Sequence, residues 1–109
     1  MKSMHRGIPS YAARTTRYSD SLMINVCDAD LVGKTLSQGK LVVSLSRDYF
    51  QQEVIENDKA ADLLKRCSIA NLVGEKIVAL AISMGLAKET SVKHICGIPF
   101  LMIFKFYQR

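Results

Sequence analysis

The sequence predicts an α+β fold: a small mixed β-sheet of about four to five strands with two main helices packed on one face. Strand-like alternation comes first along the chain, then two helical segments, then alternation again. The composition agrees, because 49% hydrophobic and 23% charged residues in 109 positions suit one globular core. We therefore expect a single α+β domain over residues 21–109.

Residues 1–20 show no apolar period and are expected to form a flexible basic arm. Four basic residues against one acidic residue give this segment +3 of the net charge of +5. An ordinary solvated terminus is the simpler explanation of this segment, an arm that binds RNA or an acidic partner is the alternative, and a misassigned start codon would also explain it. Its charged residues are Lys2, Arg6, Arg14, Arg17 and Asp20.

The domain is expected to open with a strand and a hairpin. Residues 22–27 alternate apolar with other residues, as a strand does. Asp28 can cap a single helical turn that Gly33 closes. Residues 34–36 and 41–45 then form two strands around the turn residues 37–40.

Two helices follow a short extended piece at Val54 and Ile55. Asn57 or Asp58 is expected to cap the first helix, whose apolar residues recur at helical spacing through Cys67. The second helix is expected to run from Asn71, as its N-cap, to Met84, before Gly85. It is apolar nearly all round and about 20 Å long, which predicts a buried central helix too short to span a membrane.

The chain is expected to end in two strands, residues 90–95 and 100–107, separated by a turn. Both faces of the last strand begin apolar, which predicts a covered strand. The three widely spaced cysteines suggest reduced thiols, and there is no signal-peptide pattern and no run of eighteen apolar residues. We therefore expect a cytoplasmic protein without a membrane segment. The oligomeric state is left open.

Two familiar kinds of site are rejected. Gly33-Lys34-Thr35 resembles the end of a phosphate-binding loop, but the earlier glycine of that motif is replaced by Asp28, which would repel phosphate. A metal centre would need close ligand pairs, and His94 with Cys96 is the only near pair, so no metal or other cofactor is expected. Nothing assembles a catalytic set, which favours a protein that is not an enzyme.

One internal echo suggests a ligand site. Residues 30–33 and 71–74 both read Asx-Leu-Val-Gly, and a lysine follows each within two positions. Capped turns explain both segments, but exposed amides at a helix start can also hold an anion. If the two turns met, a tentative binding site would form from Asp28, Lys34, Asn71, Gly74, Glu75 and Lys76, with Glu75 weakening the attraction for an anion.

An ordered set of motifs resembles the archaeal family catalogued as domain of unknown function 424. The resemblance covers about residues 22–104 and implies an archaeal cytoplasmic α+β protein without implying an activity. The arm lies outside it, and Phe100 stands where relatives would have a polar residue, often histidine. The positions that the resemblance favours are Cys27, Asp28, Gly33, Lys34, Asn71, Gly74 and Glu75. The motifs are Val26–Asp28, Asp30–Thr35, Tyr49-Phe50, Ala70–Glu75, Gly85-Leu86 and Gly97–Pro99.

These observations favour a non-enzymatic binding protein whose partner is RNA or a component of the ribosome or translation machinery. The expected RNA contacts are Arg6, Arg14 and Arg17 of the arm, with Lys34 and Lys76. One alternative is a small enzyme or ligand-binding domain at the junction of the CDADLVGK turn and the ANLVGE helix start. Another is a structural subunit of a larger complex, with Phe104, Phe106 and Tyr107 at an exposed sheet edge.

Overall fold

The computed structural model describes residues 8–105, which contain a mixed six-stranded sheet and a separate two-stranded hairpin. The large sheet has the order β5-β1-β2-β6-β8-β7; β2 and β6 are parallel and the other neighbours antiparallel. The strands are β1 (Ser10–Tyr18), β2 (Ser21–Asp28), β3 (Thr35–Gln38), β4 (Leu41–Ser44), β5 (Glu53–Glu56), β6 (Ile69–Val73), β7 (Lys93–Ile95) and β8 (Ile98–Phe104). The helices are α1 (Arg47–Phe50), α2 (Asn57–Arg66) and α3 (Glu75–Ser83).

The predicted α+β class is confirmed, and the described part of the chain holds more strands than expected. The main helices α2 and α3 share one face of the sheet, which we call the helix face. Its core joins residues of the sheet to Leu63, Leu64 and Ile77 of the helices. Full burial of such side chains contributes roughly 1.5–3 kcal/mol each, which makes this the main stabilising layer.

The opposite face is covered in part by the β3–β4 hairpin and α1, and we call it the hairpin face. Its smaller core contains Ala12, Cys27 and Val73 from the sheet, with Leu45 and Phe50 above them. The predicted hairpin is therefore confirmed, but it pairs only with itself and lies over the large sheet as a separate layer.

The expected flexible arm is wrong for residues 10–18. These residues form β1, which lies inside the sheet between β5 and β2. The inward residues Ala12 and Ala13 are fully buried but small, so the strand carries little apolar signal in the sequence. Tyrosine and threonine nevertheless favour a strand. Arg6 lies outside the described residues.

The expected helix from Asn71 to Met84 is also wrong in its first part. Residues 69–73 form β6, and α3 begins only at Glu75. β6 is central and parallel to β2, and Ala70, Leu72 and Val73 are buried. A strand covered on both faces gives a continuous apolar run, which periodicity cannot distinguish from a buried helix. Asn71 is therefore a strand residue and not an N-cap.

Within residues 8–105, the structure contains no helix that is both long and apolar enough to cross a membrane. The cytoplasmic location stays a prediction.

Candidate functional site

Asp28 ends β2 and caps α3 from outside that helix. Its Oδ2 accepts a hydrogen bond of 2.9 Å from the Lys76 amide, and its Oδ1 accepts one of 2.9 Å from the Ile77 amide. Gly74 makes room for this carboxyl group at a φ of +121°, because a Cβ there would lie 2.4 Å from the Asp28 Cγ. The Asp28 carboxyl group therefore already occupies the start of α3, where the helix dipole is positive.

The surroundings of this junction are acidic. A cleft of about 190 Å³ is lined by Asp28, Asp30, Glu75 and Lys76, together with two apolar residues. Burial raises the pKa of the Asp28 carboxyl, the two amide hydrogen bonds oppose that rise, and the Asp30 charge adds to it. An anionic ligand would meet these carboxyl groups and would find both amides engaged.

The structure separates the residues of the tentative binding site. Asp28, Gly74, Glu75 and Lys76 meet at the start of α3. Asn71 lies on the hairpin face of the sheet. Alternate residues of a strand share a face, and Val73, two residues later, belongs to the core of that face. Lys34 is exposed at the base of the hairpin, where its carbonyl accepts a hydrogen bond from the Leu45 amide. The predicted convergence of the two echo segments is therefore found only in part, because Asp30 and Leu31 line the cleft at the start of α3 while Lys34 and Asn71 do not.

The expected basic contacts are separated as well. Arg14 and Arg17 are both exposed on β1. They are three residues apart and so project to opposite faces of the sheet. Arg14 pairs with Asn25 on the hairpin face, and Arg17 pairs with Leu22 on the helix face. Lys76 lies beside the acidic junction, so Arg14 alone of these three residues is on the hairpin face.

The part of the hairpin face that the hairpin does not bury forms two rows across four strands. Sheet register places the two rows side by side, and we call them the open rows. Met102 is 57% exposed and Phe104 52% exposed, while Tyr18 at the end of β1 is 58% exposed. The first row is Arg14, Asn25, Asn71 and Met102, and the second is Thr16, Met23, Ile69 and Phe104.

Two asparagines at the centre of the open rows form a polar ladder. The Asn25 Nδ2 donates to the Tyr49 carbonyl at 3.1 Å, and the Asn71 Nδ2 donates to the Asn25 Oδ1 at 2.8 Å. Asn71 also lines a cleft of about 320 Å³ between the hairpin and β6, β7 and β8. Lys93 and Met102 belong to the same lining. The cleft is thus mostly apolar, with one oriented amide and one lysine.

Charge distinguishes the open rows from the groove beside α3. Arg14 is the charged member of the open rows, and Lys93 of the adjoining cleft is also cationic. On the helix face, a groove of about 480 Å³ beside α3 contains Glu75 and Glu89. The exposed Arg47 and Asp48 of α1 offset each other. The open rows therefore carry positive charge without an acidic side chain, whereas the groove beside α3 carries two carboxyl groups.

Among the residues that the structure describes, the cysteines and His94 do not form a centre. Cys27 is buried on the hairpin face, and its burial, with the charges of Asp28 and Asp30, raises its pKa to about 12. Cys96 is exposed in the β7–β8 turn, where its Sγ donates to the Ser37 carbonyl at 2.8 Å. Within residues 8–105, no three histidine, cysteine or carboxylate side chains are grouped to hold a metal ion.

A protein-family model matches residues 16–106, and its description is "Protein of unknown function (DUF424)". The chain belongs to this family. The resemblance seen in the sequence motifs is thereby confirmed. The matched range begins at Thr16, so it includes the end of β1 and all the later elements of the described chain.

Among solved structures, the chain is similar to an uncharacterised conserved protein from Methanopyrus kandleri. The TM-score is 0.75 at 19% sequence identity, and the match covers 92% of this chain and 96% of the other. This likeness shows a shared fold and carries no activity. A search of curated proteins finds no match.

Sequence reasoning missed Asn25, Tyr49, Lys93 and Met102 as members of one surface. The sequence did contain a signal, because Asn25 in β2 and Asn71 in β6 are each a polar residue between apolar ones. Assigning Asn71 to a helix removed that signal, because the two asparagines face each other only when residues 69–73 form a strand beside β2.

Proposed function

We propose that this DUF424 protein binds single-stranded RNA through the open rows of its hairpin face. The observation that carries the proposal is the combination, on one sheet surface, of exposed Tyr18, Met102 and Phe104 with Arg14 and an oriented asparagine pair. Sheet surfaces that bind single strands use flat side chains for stacking and basic residues for phosphates.

The stacking contribution explains why exposed apolar side chains suit this surface. Base–aromatic stacking is worth roughly 1–3 kcal/mol per base and works with every base. Tyr18 and Phe104 lie on strands at opposite sides of the open rows, with β2 and β6 between them. Neighbouring strands are about 4.8 Å apart, so the backbones of β1 and β8 are about 14 Å apart, a span of more than one nucleotide.

Charge supports RNA over an acidic or neutral small ligand. The net charge of +5 favours a polyanion, and the open rows contribute Arg14 without an acidic side chain among them. The carboxyl groups of the groove beside α3 and of the cleft at the start of α3 disfavour the same partner at those two places. Arg17 and Lys76, which lie on the helix face, are therefore no longer expected as contacts.

The test is fluorescence anisotropy with a labelled, mixed-sequence single-stranded RNA oligonucleotide at several salt concentrations. We expect affinity that falls with salt, since phosphate contacts release counterions. Replacing Arg14 by serine should weaken binding and reduce the slope of log K against log salt by about 0.7, the value for one phosphate contact on a single strand.

Arg17→Ser is the matched control, because Arg17 is an exposed arginine of the same strand on the other face. It should leave both affinity and slope unchanged. Equal effects of the two substitutions would contradict the assignment of the face. Absence of RNA binding by the unaltered protein would overturn the proposal and favour a protein partner for the exposed Met102 and Phe104.

A further inference from the structure

The cleft between the hairpin and the sheet is large enough for one flat ring system. Its volume is about 320 Å³, and pockets of roughly 300–1,000 Å³ hold small organic ligands. Its walls are mostly apolar, including Val43, Leu45, Phe100 and Met102. The cleft borders the open rows, because Asn71 and Met102 belong to both. A base of a strand lying on the open rows could therefore enter it.

The direction of the Asn71 amide is set by a chain of hydrogen bonds that begins at a backbone carbonyl. The Tyr49 carbonyl can only accept, so Asn25 must present its Nδ2 to it. Asn25 consequently presents its Oδ1 to Asn71, which must donate with its own Nδ2. Within residues 8–105, the Asn71 Oδ1 accepts no hydrogen bond and one Nδ2 hydrogen is not used.

Asn71 therefore carries a fixed acceptor next to a fixed donor on the lining of an apolar cleft. This is the pattern with which asparagine binds the edge of a base, most often adenine, through two hydrogen bonds. A cationic side chain at the same cleft, Lys93, is available for the phosphate that follows the base. Asn25 is a positioning residue in this arrangement, because it orients Asn71.

We propose that the cleft holds one nucleobase and that the Asn71 amide selects it, with adenine as the preferred base. This inference rests on the proposed function, because the base is expected to arrive as part of a single strand on the open rows. It adds a base preference, which stacking and phosphate contacts alone would not supply.

Homopolymer binding tests the selection. Oligoadenylate, oligouridylate and oligocytidylate of equal length should bind the unaltered protein with a preference of about tenfold for oligoadenylate. Asn71→Leu should remove that preference and keep the salt dependence, because the open rows still contact the strand. Asn25→Leu should weaken the preference, since it leaves Asn71 without its orienting partner.

The outcomes separate the two proposals. Binding of all three homopolymers without preference, or a preference that survives Asn71→Leu, would overturn the inference and leave the RNA-binding proposal standing. Failure of every oligonucleotide to bind would overturn both.

A second measurement uses the unaltered protein and does not depend on a variant that folds. Adenosine monophosphate should shift the side-chain amide NMR signal of Asn71. The side-chain signal of Asn57 is the internal control, because Asn57 accepts a hydrogen bond from the Tyr11 hydroxyl on the helix face and lines no part of this cleft. An unshifted Asn71 signal at saturating nucleotide, or equal shifts of both signals, would contradict the assignment.

Discussion

Gly74→Ala should destabilise the fold more than any other glycine-to-alanine substitution at a turn of this protein. The new Cβ would lie 2.4 Å from the Asp28 Cγ and 2.6 Å and 2.7 Å from its two carboxyl oxygens. The carboxyl group must then move away from the Lys76 and Ile77 amides that it now contacts at 2.9 Å. The φ of +121° is itself unfavourable for a residue with a Cβ.

The expected cost can be worked out from these contacts. The strained backbone contributes about 1–3 kcal/mol. Loss of one hydrogen bond between a charged group and a buried amide contributes about 1.5–3 kcal/mol more. The total of about 2.5–6 kcal/mol is a large share of the 5–15 kcal/mol by which domains are typically stable.

Urea unfolding followed by circular dichroism measures this cost, and Gly39→Ala is the matched control. Gly39 has a φ of +62°, and nothing lies within 4 Å of its Cβ position, so only the left-handed backbone contributes, at about 1–2 kcal/mol. The double variant Asp28→Ala/Gly74→Ala should cost less than the sum of the single variants. Equal costs for Gly74→Ala and Gly39→Ala, or additive behaviour of the double variant, would refute the reasoning.

Three further predictions concern the titration of a carboxyl group, the capping of a helix and the reactivity of two thiols. An NMR titration of the Asp28 carboxyl should have its midpoint above the ordinary aspartate value, because burial raises its pKa. The folded protein then holds this proton to a higher pH than the unfolded chain does, so the group's contribution to the free energy of unfolding should fall as pH rises through that midpoint. A midpoint below the ordinary value would contradict this. Lys105→Met should cost about 1–2 kcal/mol in urea unfolding, because the Lys105 Nζ donates to the last carbonyls of α2, whereas the exposed Lys40→Met should cost under about 0.5. Iodoacetamide at pH 8 should modify Cys96 well before Cys27, as mass spectrometry would show, since Cys27 is buried with a pKa of about 12; equal rates would contradict this.

The sequence allowed the fold class, the hairpin and α2 to be predicted, because each depends on local patterns. α2 shows the buried positions Ala60, Leu63 and Leu64 that its spacing indicates. The apolar segment beginning at Ile69 could not be divided correctly, since a strand buried on both faces and a buried helix have the same composition. β1 was missed because its buried residues include two alanines, and their burial depends on partners on β2 and β5.

The candidate site was predictable only in part, because it depends on sheet register. Asp28 was expected to cap a helical turn, and it does cap a helix, but that helix begins 47 residues later in the sequence, at Glu75. Arg14 and Arg17 were both expected as contact residues. They lie on opposite faces of the sheet because both belong to β1, and no strand was predicted there. The pairing of Asn25 with Asn71 requires β2 and β6 to be adjacent, which no local pattern indicates.

NMR mapping of RNA binding tests the central claim most directly. A mixed-sequence single-stranded RNA is added to the labelled protein, and shifted backbone signals are located on the structure. The account predicts shifts concentrated at the open rows, as at Arg14, Asn71 and Met102, with Glu75 and Glu89 of the helix face unchanged. Shifts centred on the helix face, or none at saturating RNA, would contradict it.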